Sequence, residues 1–386
     1  MKRERGDPLP GAPDPWAVST MPPFRGRPPY VMTEMIAAEP ALAQRLLHRL
    51  AADVAVGELA RELRQTAAAG RPLVITGCGT SEHAAMAVAA LLDEALAHGR
   101  GWEVVARQAL EVALRPPGEG IVIGISHEGG TKVTTEALAA ARKAGARTAL
   151  VTVGRGSPAV AEADVVIATD EQDQSWCHTV GYLSPMLAGV ALAAAIRGAR
   201  TDDLAVRAIL DITDDARPAA DVAAGLAGVD RILVVGAGAD AITARELALK
   251  IAEGARLPAT MLDLETALHG HLAAATRWTG LVLVLTDAAD EPLVHERATR
   301  VRAAARALGI PLAAILSEAA AVKVPEEETP AGRIVLPHTD RVPGLAGSLL
   351  ASAVALQLLT ERLARARHVD PDTLGREDPA QATAHA

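Results

Sequence analysis

The chain has 386 residues, long enough for two domains; half are hydrophobic but only 2% aromatic, so its cores are built from Ala, Leu, Val and Ile. A formal net charge of −9 argues against nucleic acid or an anionic membrane as partner, because both require a basic face. Cys78 and Cys177 allow no disulfide framework and share no metal-ligand spacing, which points to a reducing cytoplasm with no metal and no cofactor expected.

The opening "MKRERGDPLPGAPDPW" has charge without an apolar core. It reads as a loose arm over residues 1–30 and not as a signal peptide. A helical lead-in follows over 33–69. Five short β-branched runs come next: "PLVITG" (72–77), "WEVVA" (102–106), "GIVIGIS" (120–126), "RTALVTV" (147–153) and "ADVVIAT" (163–169). Between them lie Ala-rich helical segments such as 81–99 and 131–145. This alternation predicts a parallel sheet with helices on both faces.

Ser175–Ile196 carries no charged residue. After Asp211 the same pattern restarts: "RILVVGAG" (231–238), a helix over 240–256, "LVLVLTD" (281–287), a helix over 294–308, "PLAAILS" (311–317) and "GRIVLP" (332–337). A second uncharged stretch, Val342–Thr360, closes this half. Gly77 and Gly236 are 159 positions apart (236 − 77), and the two uncharged stretches start 167 apart (342 − 175), as an internal duplication would place them. Both stretches could span a bilayer by length, but Ala, Gly and Ser dominate them, with His178 and Pro185 in the first. Burial in a core or an interface is the expected fate.

Three turns carry chemistry. "GCGTSEH" (77–83) puts Gly79, Thr80 and Ser81 at a helix start, where hydroxyls either cap the helix or hold a ligand's oxygens. "SHEGGT" (126–131) ends another strand of the same half, and ligands of doubly wound sheets gather where such turns converge. "GAGADA" (236–241) matches the dinucleotide fingerprint G-x-G-x-x-A, with Asp263 ending the next strand-like segment "ATMLD" as the ribose acid. A tight strand-to-helix turn requires the same glycines.

Glu246, Lys250 and Glu253 stand at i, i+4 and i+7 and share one helical face, either a solvated salt-bridged stripe or the border of a cleft. His269 and His271 flank a glycine, and H-x-H alone lacks a third convergent metal ligand.

The order "GCGTS", "SHEGGT", E-x-x-x-K-x-x-E and a His-Gly sixteen residues later (269 − 253) resembles the sugar isomerase (SIS) domain proteins. The resemblance covers about residues 32–378 and is nearest to the isomerase half of glucosamine-6-phosphate synthase, with related amino-sugar deaminases and fructosamine deglycases. It implies an α/β protein of two tandem doubly wound, flavodoxin-like parallel sheets. These are SIS domains at 31–210, which includes the lead-in, and 211–360, with a tail at 361–386 over the active site.

The resemblance further implies that Ser81, Ser126, His127 and Thr131 hold a sugar phosphate, along with Gly79, Thr80 and Gly129 of the same turns. Glu253 would move the proton between C1 and C2 beside Glu246 and Lys250. His269 would open the sugar ring from the partner subunit, which makes a homodimer. No glutaminase domain precedes the lead-in, so glutamine-dependent transfer is not expected. The expected function is aldose–ketose isomerisation, or loss of an amine at C1 or C2. A sugar-binding regulator without chemistry is the alternative, and a nicotinamide dinucleotide protein a further one.

Two positions depart from the family pattern. Arg376 in "LGRED" stands where the family has an imine-forming lysine, and a guanidinium stays protonated and cannot take that role. Glu128 displaces a phosphate-binding serine. Two unit charges ~4 Å apart at an effective dielectric near ~20 repel by about 4 kcal/mol, against about 0.3–1 kcal/mol offered by a helix terminus. Glu128 is therefore expected to select against a phosphate dianion, unless it turns outward to Lys132.

Overall fold

The structure, a computed structural model, describes residues 22–96, 104–286 and 291–384. Most of the expected 1–30 arm lies outside these residues, as do Trp102 and Glu103 of the second predicted strand, residues 97–99 of the first helix and Asp287. The chain divides into two compact units. The first holds Ala38–Asp173 and Val180–Arg207; the second holds the described residues up to Ala37, the segment Gln174–Thr179 and everything from Ala208.

The chain begins with α1 (Val31–Leu50) and α2 (Val54–Ala68). Then come β1 (Leu73–Gly77), α3 (Thr80–Ala95), β2 (Val104–Gln108), α4 (Ala109–Leu114), β3 (Ile121–Ile125), α5 (Lys132–Ala144), β4 (Arg147–Thr152), β5 (Val165–Ala168), α6 (Val180–Ile196) and α7 (Asp203–Leu210). The five strands are all parallel, in the order β2-β1-β3-β4-β5, and Leu73 of β1 is in register with both Val104 and Ile121. Strands β1 and β3 are buried along their whole length, which is why they read as unbroken apolar runs.

Helix α6 packs on α3, and a Cβ on Gly189 would come within 2.9 Å of Val88 Cγ2. That close approach explains a helix with no charge and small residues. The uncharged stretch is not one helix, however: 175–179 is irregular, and the helix starts at Val180.

The second unit continues with α8 (Arg217–Leu226), β6 (Arg231–Gly236), α9 (Ala239–Gly254), β7 (Ala259–Asp263), α10 (Leu264–Leu268) and β8 (Thr279–Leu285). It closes with α11 (Pro292–Leu308), β9 (Leu312–Ser317), α12 (Glu318–Lys323), β10 (Arg333–Leu336), α13 (Gly344–Ala366) and α14 (Pro379–Ala384). Its sheet order, β10-β9-β8-β6-β7, is the first unit's order read from the other edge. Helix α13 is long and apolar enough to cross a bilayer, yet 78% of its apolar window is buried, against α8 and α9 among others. It starts at Gly344 and runs on to Ala366, into the stretch expected to be tail.

Both sheets have the flavodoxin-like order, in which strand order reverses beside the first strand: between β1 and β3 in one unit, and between β6 and β8 in the other. Ligands of such sheets bind at the carboxyl ends of those strands, where helices leave in opposite directions and open a crevice.

Candidate active site

In the first unit the turns after β1 and β3 meet at that crevice. Gly77 must be glycine, because a Cβ there would lie 2.4 Å from Ser81 O. Gly79, at φ 59° and ψ −129°, caps α3 with no side-chain bond, and Thr131 likewise caps α5 without using its hydroxyl on the helix. The Thr131 hydroxyl instead accepts from Ser126 Oγ at 3.3 Å. The hydroxyls of this crevice are thus not spent as helix caps, and neither helix start is closed by its cap residue's side chain.

His127 is buried, and its Nε2 accepts the Asp173 N–H at 2.9 Å, which keeps the ring proton on Nδ1. One carboxylate oxygen of Asp173 accepts the Gly181 N–H at the start of α6. Glu128 does not reach Lys132, which pairs with Glu136 at 3.7 Å. Glu128 Oε1 accepts a hydrogen bond from Gln172 Nε2 at 3.0 Å. Gly129 sits at φ 69° with no room for a Cβ, which would meet Ser157 Oγ at 2.0 Å.

In the second unit the last two turns of α9 carry the charged face. Lys250 and Glu246 are both fully buried, with Nζ 3.5 Å from Glu246 Oε1, so the solvated-stripe reading does not hold for them. Nζ lies 2.6 Å from Glu253 Oε2, and Glu253 alone of the three keeps exposure, 24% of its side chain. Burial works to lower the Lys250 pKa, but the Glu253 and Glu246 carboxylates outweigh it and hold the ammonium above its ordinary value. Lys250 is therefore a fixed cation and not a free amine.

The next residue, Gly254, explains the crowding. A Cβ there would lie 2.8 Å from Thr360 Cγ2 of α13, 3.0 Å from Cys177 Sγ and 3.4 Å from Pro371 Cβ. The end of α9, the 174–179 segment and the tail converge here. Arg376 lies 4.1 Å above the Trp176 ring, and the Trp176 N–H donates to Asp372 O at 3.0 Å.

His269 is outside this buried cluster. It is 71% exposed and bonds Glu265 at 2.8 Å through Nε2. His271 opens a short exposed turn, and among the described residues no group of three or more His, Cys, Asp or Glu is placed to hold a metal. The "GAGADA" turn is closed from inside: the buried Asp240 carboxylate accepts both the Thr286 N–H and its hydroxyl. Negative charge already fills the helix start that a pyrophosphate would need, and Asp263 stands at the N-cap of α10. The dinucleotide reading loses its cradle.

Sequence reasoning passed over Gln172, Asp173, Trp176 and Asp372. The signal for the first two was their place just beyond the carboxyl end of an edge strand. Asp372 is fully buried; its Oδ2 accepts the Val31 N–H at 2.7 Å and its Oδ1 the Met32 N–H at 2.8 Å, so the tail caps α1. Burial pushes its pKa up to about 6, with Asp370 adding, while the Met32 and Val31 N–H groups and the Ser175 hydroxyl pull it back.

Since the folded pKa exceeds the ordinary 3.8, the folded protein keeps a proton between about pH 4 and 6 that the unfolded chain releases. Stability contributed at this residue rises as pH falls through that window, by up to about 3 kcal/mol for a gap of about two units. The stability difference between wild type and Asp372→Asn is expected to shift by up to that amount in favour of wild type from pH 7 to pH 4. A difference that stays flat in urea titrations across this range would refute the assignment.

Residues 69–195 match the family model described as "SIS domain". Among curated relatives, the glutamine–fructose-6-phosphate aminotransferase (isomerizing) of Aeropyrum pernix is 29% identical over 366 residues, covering 89% of this chain and 56% of that protein. The chain spans about half the length of the curated relatives it matches. Among solved structures, the C-terminal domain of glucosamine-fructose-6-phosphate aminotransferase from Francisella tularensis superposes with a TM-score of 0.71 at 19% identity, over 91% of this chain and 100% of that one. Tagatose-6-phosphate ketose/aldose isomerase from Escherichia coli gives 0.66 at 17% identity, over 89% and 95%. At these identities the solved structures speak to the fold alone.

Proposed function

We propose that this chain, which carries a SIS domain over residues 69–195 and is homologous to the isomerase half of the glutamine–fructose-6-phosphate aminotransferases, is a sugar or amino-sugar isomerase or deaminase. The observation that carries the reading is the α9 trio, in which a buried, permanently charged Lys250 holds the one partly exposed carboxylate, Glu253.

Glu253 takes the proton from C2 of the open-chain aldose as O1 gains one, which leaves a cis-enediol. It then returns its proton to C1 as the O2 hydroxyl releases one, which gives the ketose. No proton, water or oxidant is consumed. The Lys250 ammonium beside it favours the negative charge that develops on the enediol oxygens. Loss of an amine at C1 or C2 would use the same proton transfer, followed by one water that adds to the resulting imine carbon and expels ammonia or the amine. The two sheets of identical order fit an internal duplication.

His269, exposed and held by Glu265, is suited to act on the ring of a sugar bound to a second subunit, so the working form is a cytoplasmic homodimer with sites shared across the interface. Light scattering that finds only a 39.9 kDa monomer in an active preparation would remove the shared site. Turnover of a panel of aldoses, ketoses and amino sugars tests the enzyme reading.

Arg376, stacked on Trp176 where a family lysine forms an imine, favours a second reading: a sugar-binding regulator. Binding of a sugar that is never converted under any condition would select it.

A further inference from the structure

We propose that Gln357 of α13 is a positioning residue for the α9 trio: its side-chain oxygen receives the Lys250 ammonium while Glu253 carries the proton taken from the sugar. This role rests on the isomerase reading above and deepens it.

Helices α9 and α13 pack against each other, and two contacts fix how. The Thr243 and Ser352 hydroxyls lie 2.8 Å apart, and a Cβ on Gly254 would lie 2.8 Å from Thr360 Cγ2. Both pairs advance together along the chain, so the two helices run in the same direction. Eleven residues of α9 (254 − 243) then match eight of α13 (360 − 352). Gln357, five residues beyond Ser352, is thereby level with about residue 250 of α9.

An α-helix turns by about 100° per residue. Glu246 and Glu253 stand about 70° and 90° to one side of the contact line on α9, and Gln357 about 100° to the other side on α13. Helices that face each other with the same sense of rotation bring these opposite turns into one groove. The segment 174–179 fills it: Gln357 Nε2 donates to Thr179 O at 3.2 Å, and Cys177 Sγ lies 3.0 Å from a Cβ placed on Gly254. Cys177 is also within electrostatic reach of Lys250.

Gln357 and Lys250 are both fully buried. Gln357 Oε1 has no hydrogen-bond donor among the described residues, whereas buried polar atoms are normally paired. Lys250, the buried cation at this level, is drawn instead to Glu253 at 2.6 Å, which takes one of its three N–H donors. Once Glu253 holds the proton from C2, its charge is gone and with it most of its pull on Lys250. The ammonium stays charged and sealed in, with Glu246 Oε1 at 3.5 Å. A neutral amide oxygen can meet it then, and does not compete with the Glu253 carboxylate beforehand. Gln357 is the spare acceptor for that half of the cycle.

Glu253→Gln puts a neutral group of the same shape at the base and so reproduces its protonated state without any substrate. A crystal structure of this variant beside wild type is expected to show Lys250 Nζ within about 3.2 Å of Gln357 Oε1, with the amide oxygen at position 253 kept as a weaker acceptor. An unmoved Nζ, with Gln357 Oε1 still lacking a donor or bonded only to water, overturns the proposal. Urea unfolding supplies a second measurement. Gln357→Met is expected to lower the folding equilibrium about tenfold more in the Glu253→Gln background than in wild type, as loss of a hydrogen bond to a charged group would. Equal losses in the two backgrounds would mean that Gln357 only anchors Thr179, and would overturn the role. A protein that converts no sugar refutes the isomerase reading, while these two measurements still decide for or against Gln357.

Discussion

Glu253→Gln is expected to lower turnover by roughly 10²–10⁴-fold while KM stays within a few-fold, the usual contribution of a positioned acid–base group. The amide matches the carboxylate in shape, and its oxygen still accepts from Lys250 Nζ, which lies 2.6 Å from Glu253 Oε2 in the native protein. It cannot take a proton. Binding, which does not require proton transfer, survives. The variant also loses exchange of the C2 hydrogen with solvent deuterium, a readout that a merely structural role for Glu253 would leave alone. Wild-type turnover in Glu253→Gln on a true substrate would place the base elsewhere.

Lys250→Met has the largest expected effect on stability. Glu246 is fully buried, and the equally buried Lys250 Nζ lies 3.5 Å from its Oε1. Methionine fills most of the lysine's volume but removes the charge that Glu246 and Glu253 share, and removal of one partner of a buried ion pair costs about 3–5 kcal/mol. Replacing both, as Glu246→Leu with Lys250→Met, is expected to recover most of the loss, because a well-packed apolar pair often equals a buried ion pair. Urea midpoints of the two singles and the double measure this coupling. A Lys250→Met midpoint equal to wild type would mean that water reaches Glu246 and that the cluster is not sealed.

The alternation of strands and helices was legible because each strand is a short apolar run punctuated by glycine or a charged residue. Strands β1, β3, β4, β6 and β9 fall within a residue or two of the expected runs. Strand order is a long-range outcome, and residue patterns say nothing of it. The short helices α4, α10 and α12 also escaped notice, since five or six residues carry too few turns to show a period.

At the site, the spacing of Glu246, Lys250 and Glu253 announced a shared face, but not its burial. A charged stripe reads the same whether it faces water or a core. Burial came from Cys177, Thr360 and Pro371 closing around Gly254, contacts that span 77 (254 − 177), 106 (360 − 254) and 117 (371 − 254) positions. Similarly, Glu128 accepts a hydrogen bond from Gln172, 44 residues on, where only Lys132 was visible nearby.

The closed turn of the second unit has a consequence for experiments. Asp240 is the fifth residue counted from Gly236, as Ser81 is from Gly77, and Gly79 and Gly238 share nearly the same dihedral angles. One sheet thus carries its own carboxyl group at its crevice, bound to Thr286 by backbone and side chain, whereas the other presents a hydroxyl. The Thr286 amide is protected by the fold itself, through Asp240, so ligand is expected to change its exchange by local contact less than it changes the amides of the first crevice. Those of 126–131 report occupancy of the first crevice. Each molecule therefore contains a built-in reference against which its own binding signal can be read.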